Sequence, residues 1–199
     1  MRSDPVRLDY KVIRDIIRPN SRVLDLGCGD GELMFILAKE KNAKVQGIEL
    51  DENEIYKCVE KGLSVFHGDI DSGLSEYPDK SFDYVILNQS MQQVKRADFV
   101  IEEALRVGRR VIIGFPNFVY YKARLQIFFK GITPVTPNLP YKWYDTPNLH
   151  FLSIADFINY CRKKNIKIEN ATFLTSKNII RILPNLFGDT GIFTLSKNY

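Results

Sequence analysis

Apolar and polar positions along this 199-residue chain alternate between a helical period and a strand period. Residues 10–18 place Ile13, Ile16 and Ile17 on one helical face and break at Pro19-Asn20. Residues 22–26 then read as a strand, and residues 32–41 as a helix with Leu33, Ile36 and Leu37 inward. A second strand spans 45–50, a helix is marked by Ile55, Cys58 and Val59 and ends near Gly62, and a third strand covers 63–67. The run "FDYVIL" at 82–87 is unbroken in its apolarity, as strands buried on both faces are. Residues 97–107 are helical, with Val100, Ile101, Ala104 and Leu105 on one side, and "RRVIIGF" follows as a fifth strand. Ser153 and Asp156 have the spacing of a capping box, and Ile154, Phe157, Ile158 and Cys161 form a helical stripe behind it. Residues 167–174 and 192–196 read as two more strands.

Strict alternation of strand and helix requires a parallel sheet covered on both faces, with right-handed crossovers. The expected architecture is therefore a doubly wound, Rossmann-like α/β fold. Residues 1–199 are expected to form one domain, with an insertion at about 115–151. No repeat or low-complexity tract interrupts it.

Composition narrows the function classes. The chain is 45% hydrophobic and 26% charged, as globular proteins are. Its first ten residues, "MRSDPVRLDY", lack the apolar core of a signal peptide, and no segment approaches the ~18 apolar residues of a membrane span. Cys28, Cys58 and Cys161 are odd in number and widely spaced, which argues against disulfides or a zinc site and for the reducing cytoplasm. His67 and His150 show no metal-ligand spacing. A net charge of +4 does not by itself imply nucleic acid.

The chemistry concentrates at "VLDLGCGDGEL", residues 23–33. A ligand of a doubly wound sheet sits beyond the carboxyl ends of the strands, beside the first one, and this glycine turn is at that place. A dinucleotide fingerprint would read G-x-G-x-x-G, but here the third glycine, Gly31, comes one residue early after Gly27-Cys28-Gly29. Asp30 and Glu32 also enter the helix start, where a pyrophosphate would need positive potential, and Asp25 precedes the turn. An acid-flanked loop suits a ligand carrying positive charge. S-adenosylmethionine has an ammonium and a sulfonium and no phosphate. Glu49 ends the second strand 22 positions after Gly27, where a carboxylate can accept from ribose hydroxyls. Asp69 ends the third strand in "HGDI", placed to accept from an adenine amino group while the Ile70 amide reaches the ring. Taken singly, these residues read as a tight turn and helix-capping acids. Together they point to the cofactor, S-adenosylmethionine or S-adenosylhomocysteine.

On these residues the chain resembles the class I S-adenosylmethionine-dependent methyltransferases over nearly its whole length. More narrowly it is similar to the MetW family of methionine biosynthesis proteins. The segments that carry this likeness are "RVLDLGCGDGEL", "GDIDSGLSEYPDKSFDYVILNQSMQQV", "EALRVGRRVIIGFPNF" and "PVTPNLPYKWYDTPNLHF". The resemblance implies a seven-stranded sheet whose last strand is antiparallel. It also implies a cofactor set of Asp25, Gly27, Cys28, Gly29, Glu49, Leu50, Gly68, Asp69, Ile70 and Asn88. Many members carry a histidine after the fourth strand, where this chain has Gln92 and Gln93, so one candidate general base is missing. The family likeness further implies assistance of homoserine O-acyltransferase. The alternative is methyl transfer to a small molecule, which proximity and orientation can drive without an obvious base.

Other chemistries fall away. No G-x-S-x-G elbow, H-E-x-x-H pair or Walker loop occurs. Residues 88–90, Asn-Gln-Ser, lack the Pro-Pro-aromatic stretch of enzymes that methylate base amino groups, and Cys28 sits in the cofactor loop as a small residue. No catalytic residue is assigned, although Tyr120, Tyr121 or Tyr144 could reach an acceptor. Weak or absent free-standing transferase activity is expected. In the insertion, Tyr121, Leu125, Phe128 and Phe129 share a helical face, and Pro134, Pro137, Pro140 and Pro147 punctuate the segment holding the only tryptophan, Trp143. From residue 104 to 144 there are seven Lys or Arg and no Asp or Glu. Three readings stand: a packed cap, a lid over an acceptor site, or a partner surface. No RNA-binding motif accompanies the basic and aromatic residues.

Overall fold

In the computed structural model, which describes residues 7–197, one eight-stranded sheet runs in the order β3-β2-β1-β4-β5-β8-β6-β7. The first six residues of the amino-terminal stretch considered above lie outside the described residues. Strands β1 (Arg22–Leu26), β2 (Lys44–Glu49), β3 (Ser64–His67), β4 (Phe82–Asn88) and β5 (Gly108–Pro116) pair in parallel. Strand β8 (Thr190–Lys197) lies antiparallel between β5 and β6 (Ile166–Leu174). The alternation of the sequence predicts the parallel part, and the family resemblance implies the antiparallel last strand, though the sheet has eight strands rather than seven. The sequence pattern does not contain β7, the two-residue strand Ile179–Ile180 paired to the end of β6.

Two packed layers account for the helices. Period-two alternation sends successive side chains of one strand to opposite faces. Val23, Tyr84, Ile86 and Ile112 thus meet α1 (Leu8–Ile16) and α2 (Glu32–Lys41) on one face, through Ile13, Ile17, Leu33 and Leu37. Leu24, Val85, Leu87, Val111 and Ile113 face the other way, onto α4 (Ala97–Val107) and α6 (Ile154–Lys163). Helix α3 (Glu52–Glu60) begins at Asp51, whose side chain accepts from the Asn53 amide. The Ser153–Asp156 capping box forms as the spacing requires, with both reciprocal bonds present. Phe115, Phe157 and Phe193 then stack into the fully buried centre where β5, β8 and α6 meet. Among the described residues, no helix is long and apolar enough to cross a membrane.

Between β5 and α6 the insertion contains α5 (Tyr121–Lys130) and an irregular, proline-bearing stretch. Asn117 pins its start by donating to the Gly188 and Asn185 carbonyls. Asn138 pins its middle by donating to Asp189 (2.6 Å) and Thr190 (2.7 Å) at the head of β8. His150 pins its end: its ring Nε2 lies 2.9 Å from the Val94 carbonyl, and its amide donates to the Gln92 carbonyl. The segment is thus fastened at three points while much of its apolar surface faces outward.

Candidate functional site

Strand order reverses between β1 and β4, and the crevice beyond their carboxyl ends is where such sheets hold ligands. A cleft of about 840 Å³ opens there. All ten candidate residues line it: Asp25, Gly27, Cys28, Gly29, Glu49, Leu50, Gly68, Asp69, Ile70 and Asn88.

The glycine turn is built for close approach. Gly27, Gly29 and Gly31 all have positive φ (72°, 54° and 76°), a region L side chains enter at a cost. Their surroundings differ. A Cβ on Gly27 would sit 2.7 Å from the Ser90 Cβ, and one on Gly31 would meet Leu63 at 2.6 Å, whereas one on Gly29 would meet nothing within 4 Å. Gly27 and Gly31 are therefore constrained by the protein, and only Gly29 faces open space. Ser90 braces the turn by donating to the Leu26 carbonyl at 2.7 Å.

Glu49 does more than its sequence position suggests. One carboxylate oxygen accepts from the Gly29 amide at 2.8 Å, and the other accepts from Leu50 and Asp51 at 2.8 and 3.0 Å. It ties the end of β2 to the glycine turn and still lines the cleft. Asp69 caps the 3-10 turn Ile70–Ser72, one oxygen accepting from the Asp71 amide, and stays exposed to the cleft. Asn88 donates to Asp9 at 2.9 Å, so its amide joins the head of α1 to the end of β4.

Electrostatics of the cleft are one-sided. Among the described residues, seven carboxylates line it (Asp25, Asp30, Glu49, Asp51, Glu54, Asp69 and Asp71) against two cations, Arg7 and Lys95. Asp30 is partly neutralised by Lys61 at 2.8 Å. Asp25 is 3% exposed, and burial, with the nearby Glu49 charge, pushes its carboxyl up to about 7. Burial, reinforced by the Asp25 charge, drives the Cys28 thiol far above its ordinary range. That thiol is no nucleophile at neutral pH, consistent with a small loop residue.

Several site residues carried no signal in the sequence. Arg7, Tyr10 and Tyr141 line the cleft. Arg7 precedes the first periodic segment, and Tyr141 is distinguished from its neighbours only by where the prolines steer the chain. Of the tyrosines expected to reach an acceptor, none lines the cleft: Tyr120 is buried against Tyr121, and Tyr144 is exposed beside Trp143. The tyrosines at the cleft are Tyr10 and Tyr141. The helical stripe of α5 also departs from expectation for a packed cap, because Leu125, Phe128 and Phe129 face solvent and only Ala123 is buried.

Comparisons with known proteins follow this geometry. Residues 7–195 match the family model described as "Methionine biosynthesis protein MetW". A bifunctional methionine biosynthesis protein MetXA/MetW of Rhodopirellula baltica is 32% identical over 205 residues, covering 96% of this chain. This chain spans only 33% of that relative's length. Among solved structures, an S-adenosylmethionine-dependent methyltransferase from Thermotoga maritima superposes with a TM-score of 0.68 at 17% identity, over 96% of this chain and 88% of that one. The [4+2]-cyclase SpnF superposes equally well, with a TM-score of 0.68 at 17% identity over 94% of this chain and 80% of its own. At such identities these structures share the fold alone, and the two names show that one fold serves different chemistries. The chain belongs to the MetW family of methionine biosynthesis proteins and has the class I methyltransferase fold.

Proposed function

We propose that this chain binds S-adenosylmethionine or S-adenosylhomocysteine in the acid-lined cleft and acts, in the cytoplasm, by docking on homoserine O-acyltransferase. The domain is read as 1–199, with the insertion supplying the docking surface. One observation carries the partner role: the insertion is fastened to the fold at three points, yet it turns its largest aromatic side chains to water. Phe128 is 80% exposed and Trp143 73% exposed. Exposed aromatics on a constrained segment lose little freedom on association, which is what an interface anchor needs. The Rhodopirellula relative joins a MetXA part to a MetW part in one chain, and MetXA is read here as the acyltransferase.

The cofactor fits by its chemistry. A sulfonium and an ammonium find seven carboxylates in the cleft, and the open side of Gly29 lets a ligand reach the backbone of the turn. Among the described residues, neither histidine lines the cleft, so no imidazole is poised as a base. Size-exclusion chromatography of the two proteins mixed at micromolar concentration tests the reading. Co-elution, shifted in extent by S-adenosylmethionine, is expected. Separate elution with and without the cofactor sinks the partner role, and calorimetry showing no cofactor binding sinks the cleft.

A further inference from the structure

At the end of the sheet opposite the cleft, where β5 and β6 begin and β8 ends, a hollow of about 520 Å³ opens. Among the described residues, five cations line it: Lys80, Arg109, Arg110, Lys167 and Lys197. Successive residues of a strand point to opposite faces, yet Arg109 and Arg110 of β5 both line the hollow. It therefore wraps the open end of the sheet rather than lying on one face. Among the described residues, no apolar side chain lines it.

The five charges are not equivalent. Glu169 closes Arg110, accepting from its Nε at 2.6 Å, and the Ser196 hydroxyl steadies the same carboxylate. Lys80 is fixed in place: its ammonium donates to the Leu105 and Gly108 carbonyls, both at 2.9 Å, where α4 gives way to β5. Arg109 is 67% exposed and meets Asp83 only at 3.7 Å. Lys167 and Lys197 are exposed and, among the described residues, close no ion pair. Lys197 stands near Glu103, but Arg106 already holds that carboxylate. Continuing the register of Val111 with Leu195 by two places sets Arg109 opposite Lys197. Like charges directly opposite on neighbouring strands destabilise a sheet, so the fold carries a repulsion here that an anion would relieve.

We propose that this hollow is an anion site whose ligand is a chain of two or more phosphates ending in a free terminal phosphate. Arg109 on β5 and Lys167 on β6 stand two strand spacings apart, roughly 10 Å, so a chain of phosphates spans them better than one small ion. The all-polar lining gives no purchase to an apolar group, which sets aside lipid tails and peptides with hydrophobic anchors. A dinucleotide such as NAD falls outside the class, because its pyrophosphate lies between two nucleosides with no terminal phosphate. Bound here, the anion bridges β5, β8 and β6 through one exposed cation on each, Arg109, Lys197 and Lys167. The site thus tightens the antiparallel part of the sheet and is independent of how the cleft is read.

The test titrates the 199-residue chain with sodium tripolyphosphate, by calorimetry and scanning fluorimetry, at about 0.15 M salt without divalent cations. Each titration is repeated with S-adenosylhomocysteine present, which reads the cleft separately. Saturable binding and a raised melting temperature are expected, with no binding of NAD at the hollow. ATP is titrated in parallel: tighter binding than tripolyphosphate names a nucleotide as the source, equal binding a free phosphate chain, and both uphold the site. Lys167→Gln combined with Lys197→Gln should weaken binding at least about tenfold. Without ligand that variant should melt no lower than wild type, because a repulsion is removed. Lys177→Gln combined with Arg181→Gln, past the far end of β6, makes the same change of net charge and should leave binding unchanged. Should the first double variant fold poorly, Arg109→Gln replaces it, with a loss of about threefold expected. The proposal is overturned if tripolyphosphate does not bind, or if the two double variants lose affinity equally. It is also overturned if sulfate at the same ionic strength competes as well as tripolyphosphate, or if a polyglutamate peptide binds more tightly.

Discussion

Two glycines two positions apart have different jobs. At Gly27 an added Cβ collides with Ser90 and the backbone is left-handed as well, so Gly27→Ala combines a clash with strain. At Gly29 only the strain applies, about 1–2 kcal/mol. Gly29→Ala is therefore expected to lose that much stability in chemical denaturation while losing most affinity for S-adenosylhomocysteine. Gly27→Ala should lose more stability than Gly29→Ala. Gly29→Ala binding the ligand as the wild type does would mean that nothing approaches this backbone. Asp25 gives a pH prediction. Its carboxyl is raised to about 7 by burial and Glu49, so at pH 6 the ligand-free protein holds it mostly protonated. A cationic ligand favours the ionised form, so affinity for S-adenosylmethionine should rise from about pH 4 to about pH 7, a window set by the ordinary carboxylate range and this pKa, with proton release seen in calorimetry. The stability sign is opposite: an acid with a raised folded pKa costs the ligand-free fold stability as pH climbs from about 4 to 7. Asp25→Asn should flatten both profiles. The positions of these groups were legible because strand ends and turns follow from spacing. The bracing of the turn by Glu49 was not, since it depends on how closely two strand ends converge.

Helices and strands were legible where their pattern ran for a turn or more. The boundaries of β1, α2 and α4 coincide with the apolar periods that predict them. Strand β7 and helix α7 (Pro184–Phe187) escaped because two and four residues are too few to show a period. Helix α5 is the instructive case. Its period announces a helix, but a period cannot say whether the apolar face meets the core or a partner. In the structure Leu125, Phe128 and Phe129 of that face are bare, and Trp143 and Tyr144 stand edge to face in solvent. Trp143→Ala should therefore leave thermal stability within about 0.5 kcal/mol of wild type, as surface changes do. It should cost the acyltransferase complex at least ~2 kcal/mol if Trp143 is an anchor. A matching loss of melting temperature and affinity would place the ring in the fold instead. Lys122 is the clean site for charge reversal, with its effect expected in association rate and salt dependence. Arg124 is not, because its guanidinium bonds the Val119 and Asn185 carbonyls and holds the insertion in shape.

Across the whole molecule, charge is sorted. Acids gather at the carboxyl ends of the parallel strands, and the opposite end of the sheet bears Lys80, Arg109, Arg110, Lys167 and Lys197, with Glu169 and Asp83 paired to Arg110 and Arg109. A ligand that binds only the folded cleft stabilises the entire sheet. At one hundred times its dissociation constant, S-adenosylhomocysteine should add about 2.7 kcal/mol. For a chain of this size that is a rise of roughly 5–11 °C in melting temperature. NAD at the same concentration should give no rise, because its pyrophosphate meets the same acids as a repulsion. Scanning fluorimetry with both compounds reads the difference directly. An equal shift with NAD would refute the charge argument.

The place of β8 governs how the chain can be made. The strand is last in sequence but interior in the sheet, filling the slot between β5 and β6. On the ribosome, β1 to β5 emerge first and can assemble as a parallel half-sheet with one open edge at β5. Strand β6 emerges later and, until β8 arrives, can pair only with the two-residue β7, because β5 is not its neighbour. At about 5–20 residues per second, the interval between Pro116 and Lys197 leaves the β5 edge bare for roughly 4–16 s. An unpaired edge flanked by Val111, Ile113 and Phe115 is a template for association with other nascent chains. Chaperone demand during synthesis should therefore peak in this window, and stop codons placed just before β8 should yield insoluble product while the 199-residue chain stays in solution.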